Sequence, residues 1–464
     1  MPSFIREMKS WEEDGSARRA EYSEKMSKFK ITTLGCKVNQ AESEAIAQDL
    51  QSSKWLTARS LEEADICIVN TCAVTQKAAM QSRQAVRRAV RANPNAHIVV
   101  TGCYAQTAPQ DIEAIEGVNY IVGHGEKHTI GRMIRADGHR ALGQPITIRG
   151  DIRKQRPFAA IPIANTVRRT RSFLKIQDGC DACCAYCIVP QARGRSRSMP
   201  LENVLDNIDK LAKAGYREVV LTGIHLGAYG HDLTPVTNLS TALECIRELK
   251  PIDRVRLSSI EPFEVTGKIL EQVLSSDLFC RHFHIPLQSG DAGILKNMGR
   301  PYSPQFFNDL IHKIHRLMPD AAIGADALIG FPGESEAAFE NTYKLIEKLP
   351  ISYLHVFPFS ARPGTKAANL PDRVEARIVK ERCQRIRMLG NEKRLRFYRE
   401  FIGKVLPILI ETERDASTNF LKGISSNYLP VLIDAGDKLK NKIVDVKIQK
   451  LAGMKLFGFL SKSP

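Results

Sequence analysis

The sequence predicts an α/β protein in three folded parts: an N-terminal parallel-sheet α/β domain, a partial (βα)6 barrel and a small C-terminal β-barrel. Three observations carry that expectation. Short β-rich runs alternate with helical stretches over residues 28–144, the pattern of a parallel sheet. A second alternation, of six strand–helix units, covers residues 171–400 and suits a partial, TIM-like barrel. Beyond Gly403 the helical period stops, and β runs separated by turn residues follow. At 464 residues the chain is also too long for one core.

Residues 1–27 are polar and charged without a strong period; they read as a flexible extension, with Met26 an alternative start. The first domain, 28–144, holds three β runs that end alike. Lys30-Ile31-Thr32-Thr33-Leu34 leads into Gly35-Cys36, Ile66-Cys67-Ile68-Val69-Asn70 into Thr71-Cys72, and His97-Ile98-Val99-Val100-Thr101 into Gly102-Cys103. Helical stretches follow the first two, so the strands are expected to be parallel, with their carboxyl ends on one ligand-binding edge. Cys36, Cys72 and Cys103 are expected to meet there, as candidates for a three-thiolate metal cluster. Three unrelated small residues at strand ends is the plainer reading, and it leaves the recurrence unexplained. Cys67 sits inside its run and reads as a buried, inert thiol. The helical stretch 76–91 carries Lys77, Arg83, Arg87, Arg88 and Arg91 with no acid. Arg83, Arg87 and Arg91 recur every fourth residue on one face, which suggests contact with phosphates.

Residues 145–170, rich in Pro, Arg and Ile, read as a connector that is partly β; they include Arg149, Arg153, Arg156, Arg168 and Arg169. Strand candidates of the barrel are 173–176, 218–222, 255–259, 282–285, 322–329 and 353–357. Sites of such barrels gather at the C-terminal strand ends. The first strand is followed by Gly179-Cys180-Asp181-Ala182-Cys183-Cys184-Ala185-Tyr186-Cys187, in which Cys180, Cys184 and Cys187 form C-x3-C-x2-C. A closed zinc site needs four protein ligands, and neither a His at zinc-finger spacing nor a second C-x2-C pair accompanies these. Three thiolates on an iron–sulfur cube leave one iron open to a substrate. Cys183 also makes a C-x2-C pair with Cys180, so a structural cluster or zinc site remains the alternative.

The later strand ends carry Thr222-Gly223-Ile224-His225-Leu226-Gly227, Ser258-Ser259-Ile260-Glu261-Pro262, Pro286-Leu287-Gln288-Ser289-Gly290 and Gly330-Phe331-Pro332-Gly333-Glu334. Each alone reads equally as turn chemistry or surface charge; together they suggest one pocket. His282, His284 and His355 lie within strands and read as core or pocket-wall imidazoles rather than ligands. Cys245, Cys280 and Cys383 read as packing residues, and Met298 and Tyr302 take no assigned role. Residues 374–401 read as an exposed basic helix, and 401–464 as a β-barrel with runs at 405–411, 428–433, 443–449 and 456–460.

The net charge of +16 favours a polyanionic partner such as nucleic acid, with solubility alone the plainer explanation. Eleven cysteines spread over the chain do not have the density of a secreted disulfide scaffold. The N-terminus Met1-Pro2-Ser3-Phe4-Ile5-Arg6 has no signal-peptide core, and no apolar run reaches the length of a membrane span. A cytoplasmic protein that makes no use of a membrane is expected.

The cysteine spacing after the first barrel strand resembles the radical S-adenosylmethionine enzymes. The segments Thr33-Leu34-Gly35-Cys36-Lys37-Val38-Asn39-Gln40, Asn70-Thr71-Cys72-Ala73-Val74-Thr75 and Thr101-Gly102-Cys103-Tyr104-Ala105-Gln106 narrow the resemblance to the methylthiotransferase family. Leu-Gly-Cys-Lys-Val-Asn followed by Cys-Ala-Val-Thr is nearest the MtaB-type branch, which modifies N6-threonylcarbamoyladenosine beside the tRNA anticodon. The branches for isopentenyladenosine in tRNA and for a ribosomal protein are the alternatives; outside the family, the alternative is a non-catalytic metal-containing RNA-binding protein.

The resemblance implies two [4Fe–4S] clusters, on Cys36/Cys72/Cys103 and on Cys180/Cys184/Cys187, and two uses of S-adenosylmethionine. One molecule methylates sulfur at the first cluster. Another is cleaved at the second, and the radical activates C2–H of adenine, a bond without the acidity that general-base chemistry needs. It also implies that Thr222 and Gly223 meet the ligand's amino group and that Glu261 and Gln288 face its ribose and methionyl parts. Arg193 offers a planar fork for the carboxylate. The C-terminal barrel resembles a TRAM domain, an RNA-binding module. The implied partners are a tRNA anticodon stem-loop, an electron donor such as flavodoxin or ferredoxin, and a sulfur source.

Overall fold

A computed structural model describes residues 27–136, 144–154, 157–158 and 170–461. The extension up to Met26 and the connector residues Arg156, Arg168 and Arg169 lie outside the described residues. Those described form two compact units, the first over 27–73 and 77–152, the second over 74–76, 153–158 and from 170 onwards.

In the first unit six strands pair in the order Leu56–Thr57, Lys28–Thr33, Ile66–Thr71, His97–Gly102, Tyr120–Val122 and Ile146–Ile148, every pairing parallel. Two of these, Leu56–Thr57 and Tyr120–Val122, were not expected; Ile146–Ile148 lies in the connector, which was read as partly β, and forms an edge strand. The central strand Ile66–Thr71 is buried along its whole length, as a near-continuous apolar run in a parallel sheet should be. Its core partners include Phe29, Ile46, Leu50, Val99 and Val122.

The second unit opens with two three-stranded parallel sheets. Arg171–Lys175, Glu218–Thr222 and Arg254–Leu257 make one; His282–His284, Ala322–Ile329 and Tyr353–Pro358 make the other. Parallel bridges Val255–Phe279 and Ser259–His284 join them into one six-stranded partial barrel. The surrounding helices start where side-chain caps replace missing backbone partners. Asn238, Ser303 and Ser335 accept from the backbone N–H of Thr241, Phe306 and Ala338.

The chain then forms the helix Ala376–Arg399 and a closed five-stranded barrel. Leu421–Ser425 is a strand that the sequence pattern does not reveal. Ile408, Ile410, Leu421, Val431, Val446, Ile448 and Leu456 fill the barrel with Phe397 from the helix and Phe401 just past its end. The helix is less exposed than expected: Arg382 is buried and donates to Glu334 (2.8 Å), which closes the fifth strand-end loop.

The small barrel is stitched to the N-terminal ends of the partial barrel's strands. Arg254 donates to the carbonyls of Ile424 (3.2 Å) and Pro407 (2.7 Å). Arg256 donates to Glu218 Oε1 (2.7 Å) and to the carbonyls of Ser426 (2.8 Å) and Ser425 (3.0 Å). Glu218 is fully buried. Burial opposes its ionisation, but Arg256 outweighs burial and holds the carboxyl below its ordinary value. Its stabilising contribution is therefore complete above the unfolded carboxyl's pKa of about 4.3 and is lost as pH falls through the lower folded value.

Arg256→Met should destabilise the second unit by about 3–5 kcal/mol near neutral pH, because Glu218 is left buried and unpaired. Urea unfolding measures this, and Glu218→Gln in the same background should recover part of the loss. An unchanged midpoint would mean that the pair carries no such stabilisation. Among the described residues no helix is long and apolar enough to cross a membrane.

Candidate functional site

In the first unit the strand register brings the cysteines to one edge. Thr33 pairs with Asn70 and Asn70 with Thr101, while Thr71 pairs with Gly102. Cys36, Cys72 and Cys103 thus emerge at one end of three adjacent strands. Gly35 lies so near Cys72 that a side chain there would come within 2.9 Å of its Sγ. Cys72 and Cys103 are buried and Cys36 is exposed. Ser82 Oγ accepts from the Cys72 N–H at 3.1 Å, and its one proton is shared between the carbonyls of Ala78 (2.9 Å) and Cys72 (3.1 Å). Asn39 donates to the carbonyls of Leu34 (2.7 Å) and Thr71 (3.0 Å) and so ties the first two loops together.

Cys67 is wholly buried, and burial pushes its thiol up to about 11. Arg83, expected on a phosphate-facing surface, instead bonds the Tyr104 hydroxyl, which also bonds Asp111. Lys77, Arg87, Arg88 and Arg91 remain exposed.

In the second unit Cys180, Cys184 and Cys187 lie on the loop after the first barrel strand and line a cavity of about 330 Å³. The loop is held at both sides: Ala185 N–H donates to the Met298 carbonyl, and Ala185 accepts from Ala367 N–H, each at 2.8 Å. Burial pushes the Cys187 thiol up to about 12, and Cys184 and Cys180 add to the rise. Cys183 is exposed, its Sγ turned to the Asp181 carbonyl at 3.8 Å.

A neighbouring cavity of about 710 Å³ is lined by Cys184, His225, Glu261, Glu264 and Arg300. Arg300 Nη1 donates to Cys184 Sγ (3.3 Å), Nη2 to Glu261, and Nε to the Tyr302 hydroxyl (3.1 Å). Tyr302 in turn donates to the Pro286 carbonyl (2.9 Å), so it orients Arg300. His225 Nδ1 lies 3.5 Å from Cys180 Sγ, and its Nε2 lies 2.8 Å from Glu264 Oε1. Burial disfavours the imidazolium, but Cys180 and Glu264 outweigh burial and lift the group to about 10. Burial raises the Glu261 carboxyl, although Arg300 works against the rise.

Of the five residues expected around the ligand, Glu261 lines this cavity. Thr222 is buried at the end of its strand, and Gly223 abuts Gln177, whose Oε1 accepts from His225 N–H at 2.8 Å. Gln288 has φ of 64° and donates its backbone N–H to Asp326. Arg193 does not face the cavity: it is 1 % exposed and donates to Asp178 at 2.8 Å. Arg300 and Arg195 both line this cavity, and the sequence reading gave a role to neither, nor to Glu264 or Tyr302; His225 it named only within its strand-end segment. Cys280 and Cys383 are buried as expected, and Cys245 is half-buried. His282 stacks on Tyr428, ring centroids 4.3 Å apart.

Residues 28–123 match the model described as uncharacterized protein family UPF0004, and 174–346 match the radical SAM superfamily. The chain is 39% identical to the threonylcarbamoyladenosine tRNA methylthiotransferase MtaB of Bacillus subtilis, covering 90% of this chain and 93% of that one. It is 35% identical to the MtaB of Aquifex aeolicus, covering 85% and 95%. The tRNA-2-methylthio-N(6)-dimethylallyladenosine synthase of Pelotomaculum thermopropionicum is 32% identical, covering 94% and 98%. Among solved structures, the radical S-adenosylmethionine methyltransferase TsrM of Kitasatospora setae shares the fold with a TM-score of 0.54 at 16% identity, over 74% of this chain and 77% of that one.

Proposed function

The chain belongs to the radical S-adenosylmethionine methylthiotransferases, and from that premise we propose that it adds a methylthio group to C2 of N6-threonylcarbamoyladenosine beside the tRNA anticodon. The observation that carries the reading is the pair of cysteine trios at strand carboxyl ends, one trio in each unit. Each offers three cysteine thiols, none of them in a disulfide, the number of protein ligands of a [4Fe–4S] cluster with one open iron.

Bound with S-adenosylmethionine, such a cluster supplies the electron that splits the sulfonium and yields a radical able to take hydrogen from an unactivated carbon. The chain's own residues do the rest. Arg300, held by Tyr302 and Glu261, presents a cation beside Cys184 where a carboxylate can dock. His225, oriented by Glu264, places an N–H against Cys180. Thr222 and Gly223 precede that loop, and Gln288 stands two strand ends away. Ser82 and Asn39 hold the first trio in place. The C-terminal barrel is, on this reading, the TRAM-like module that binds the anticodon stem-loop, with the excess of basic residues contacting phosphates. The reaction runs in the cytoplasm with a donor such as flavodoxin or ferredoxin and a separate sulfur source.

The 32% identity to a dimethylallyladenosine synthase keeps a second reading, methylthiolation of an isopentenyl-type adenosine. Mass spectrometry of nucleosides from the tRNA of a strain lacking the gene separates them. The methylthio form of threonylcarbamoyladenosine should disappear and return on complementation. Loss of the dimethylallyl product instead would transfer the chain to the other branch.

A further inference from the structure

His284, Asp326 and His355 stand on three adjacent strands of the partial barrel, and the strand register puts them on one face. Asp326 pairs directly with His355, while His284 pairs with Gly324, two residues before Asp326. Side chains two apart along a strand share a face, so all three gather on the same side of the sheet. None of them lines the cavities at the cysteine loop. Asp326 Oδ1 lies 3.1 Å from His284 Nε2 and 3.3 Å from His355 Nδ1. One donor atom from each residue lies within 4.8 Å of the other two.

A hydrogen bond needs its N–H aimed at the acceptor. His284 Nε2 and Asp326 Oδ1 are buried and close, yet neither has a partner in hydrogen-bond geometry. Ligands of one ion behave in this way, because their lone pairs point at the ion and not at each other. Zinc bonds of about 2.0–2.1 Å at tetrahedral angles set ligand atoms about 3.3 Å apart, which is the spacing around Asp326. The His284 ring is also fixed from behind. Its Nδ1 lies 2.6 Å from Ser259 Oγ, and Tyr353 lies nearly parallel to it with ring centroids 5.9 Å apart. Tyr353 is held in turn, its hydroxyl 2.7 Å from His282 Nε2. Gly324 makes room for that ring, since a Cβ there would stand 2.1 Å from Tyr353 Cζ.

We propose that His284, Asp326 and His355 hold one divalent transition-metal ion of the zinc type, with a fourth coordination position left to water. The sequence reading took the two histidines for wall imidazoles; the register and the distances make them ligands. Two imidazoles and a carboxylate suit zinc, whereas magnesium and calcium take oxygen shells. A proton on His284 Nδ1, donated to Ser259, leaves the Nε2 lone pair for the ion. His355 is half exposed (51%), which gives the ion a way in from solvent. The ion would tie His282–His284, Ala322–Ile329 and Tyr353–Pro358 together across the sheet. The assignment does not depend on which adenosine is modified.

The test uses the full chain with both clusters loaded anaerobically, so that the two cysteine trios are occupied before zinc is added. Zinc sulfate is titrated in, unbound metal is removed by gel filtration, and zinc, iron and sulfide are measured per chain. The unvaried protein should retain one zinc ion, and its thermal midpoint should rise with zinc, as it does for any ligand that binds only the folded state. Magnesium in large excess should not displace the zinc. His355→Leu should weaken zinc binding more than about a hundredfold and leave iron and sulfide unchanged. Ser259→Ala removes no ligand, keeps the fold, and should weaken zinc about tenfold through the freed His284 ring. It carries the test if His355→Leu melts early without zinc.

A loaded chain that retains no zinc would overturn the assignment and leave the trio a polar wall. Zinc held as tightly by both variants as by the unvaried protein would overturn it too, and so would displacement by magnesium.

Discussion

Cys184→Ala is expected to bring cleavage of S-adenosylmethionine to background, a loss of more than about a hundredfold, because even second-shell partners of a metal cost 10–100-fold when removed. Two thiols cannot hold a cube that three were placed to hold. The variant also strips Arg300 of one of its three contacts and leaves a cation facing a methyl group. Anaerobic reconstitution followed by quantification of 5′-deoxyadenosine measures the rate, and iron content should fall by about half because the trio in the first unit is untouched. The neighbouring residue supplies the control. Cys183 is exposed and its thiol points to the Asp181 carbonyl, so Cys183→Ala should retain both iron and cleavage. If Cys183→Ala fails and Cys184→Ala cleaves normally, the spacing has been assigned to the wrong thiols.

That ambiguity between Cys183 and Cys184 shows what a sequence can and cannot carry. The first cysteine trio was legible because each of its thiols comes just after a strand and the parallel register aligns strand ends, and the second because its three thiols share one loop at a short spacing. Arg300 was not. It lies on a loop without periodicity, 116 residues from Cys184, and only the barrel's closure joins them. Arg193 misled for the converse reason: its fork looked free because Asp178, fifteen residues earlier, gives no sign that the two are buried as a pair. Arg83 was read from its helix face alone, whereas Tyr104 and Asp111 approach from elsewhere in the domain. The strand Leu421–Ser425 was hidden by Lys422 and Gly423. A Cβ at Gly423 would stand 2.4 Å from Ile408 Cγ2, so the residue that breaks the β pattern is the one that lets the small barrel close.

Cys72→Ala should separate the two trios. Methylthiolated RNA is expected to fall more than about a hundredfold, while cleavage of S-adenosylmethionine without methylthio transfer stays within a few-fold of the unvaried rate, since each trio is held by residues of its own unit. The first trio depends on Cys72 for position as well as for its thiol. Ser82 grips its backbone from both sides, and Asn39 binds the adjoining Thr71 carbonyl, so this thiol is held more firmly than the exposed Cys36. The Cys180 trio rests on a loop pinned to Met298 and Ala367, within its own unit, and nothing in that support involves Cys72. Cys67→Ala removes a buried thiol from the same strand system without touching the edge, and should keep both activities at a modest loss of stability. Mass spectrometry of the RNA and of 5′-deoxyadenosine in one reaction reads both outcomes. Methylthiolated RNA from the Cys72 variant would show that sulfur transfer does not pass through the first trio, and loss of cleavage in that variant would show that the two trios do not work separately.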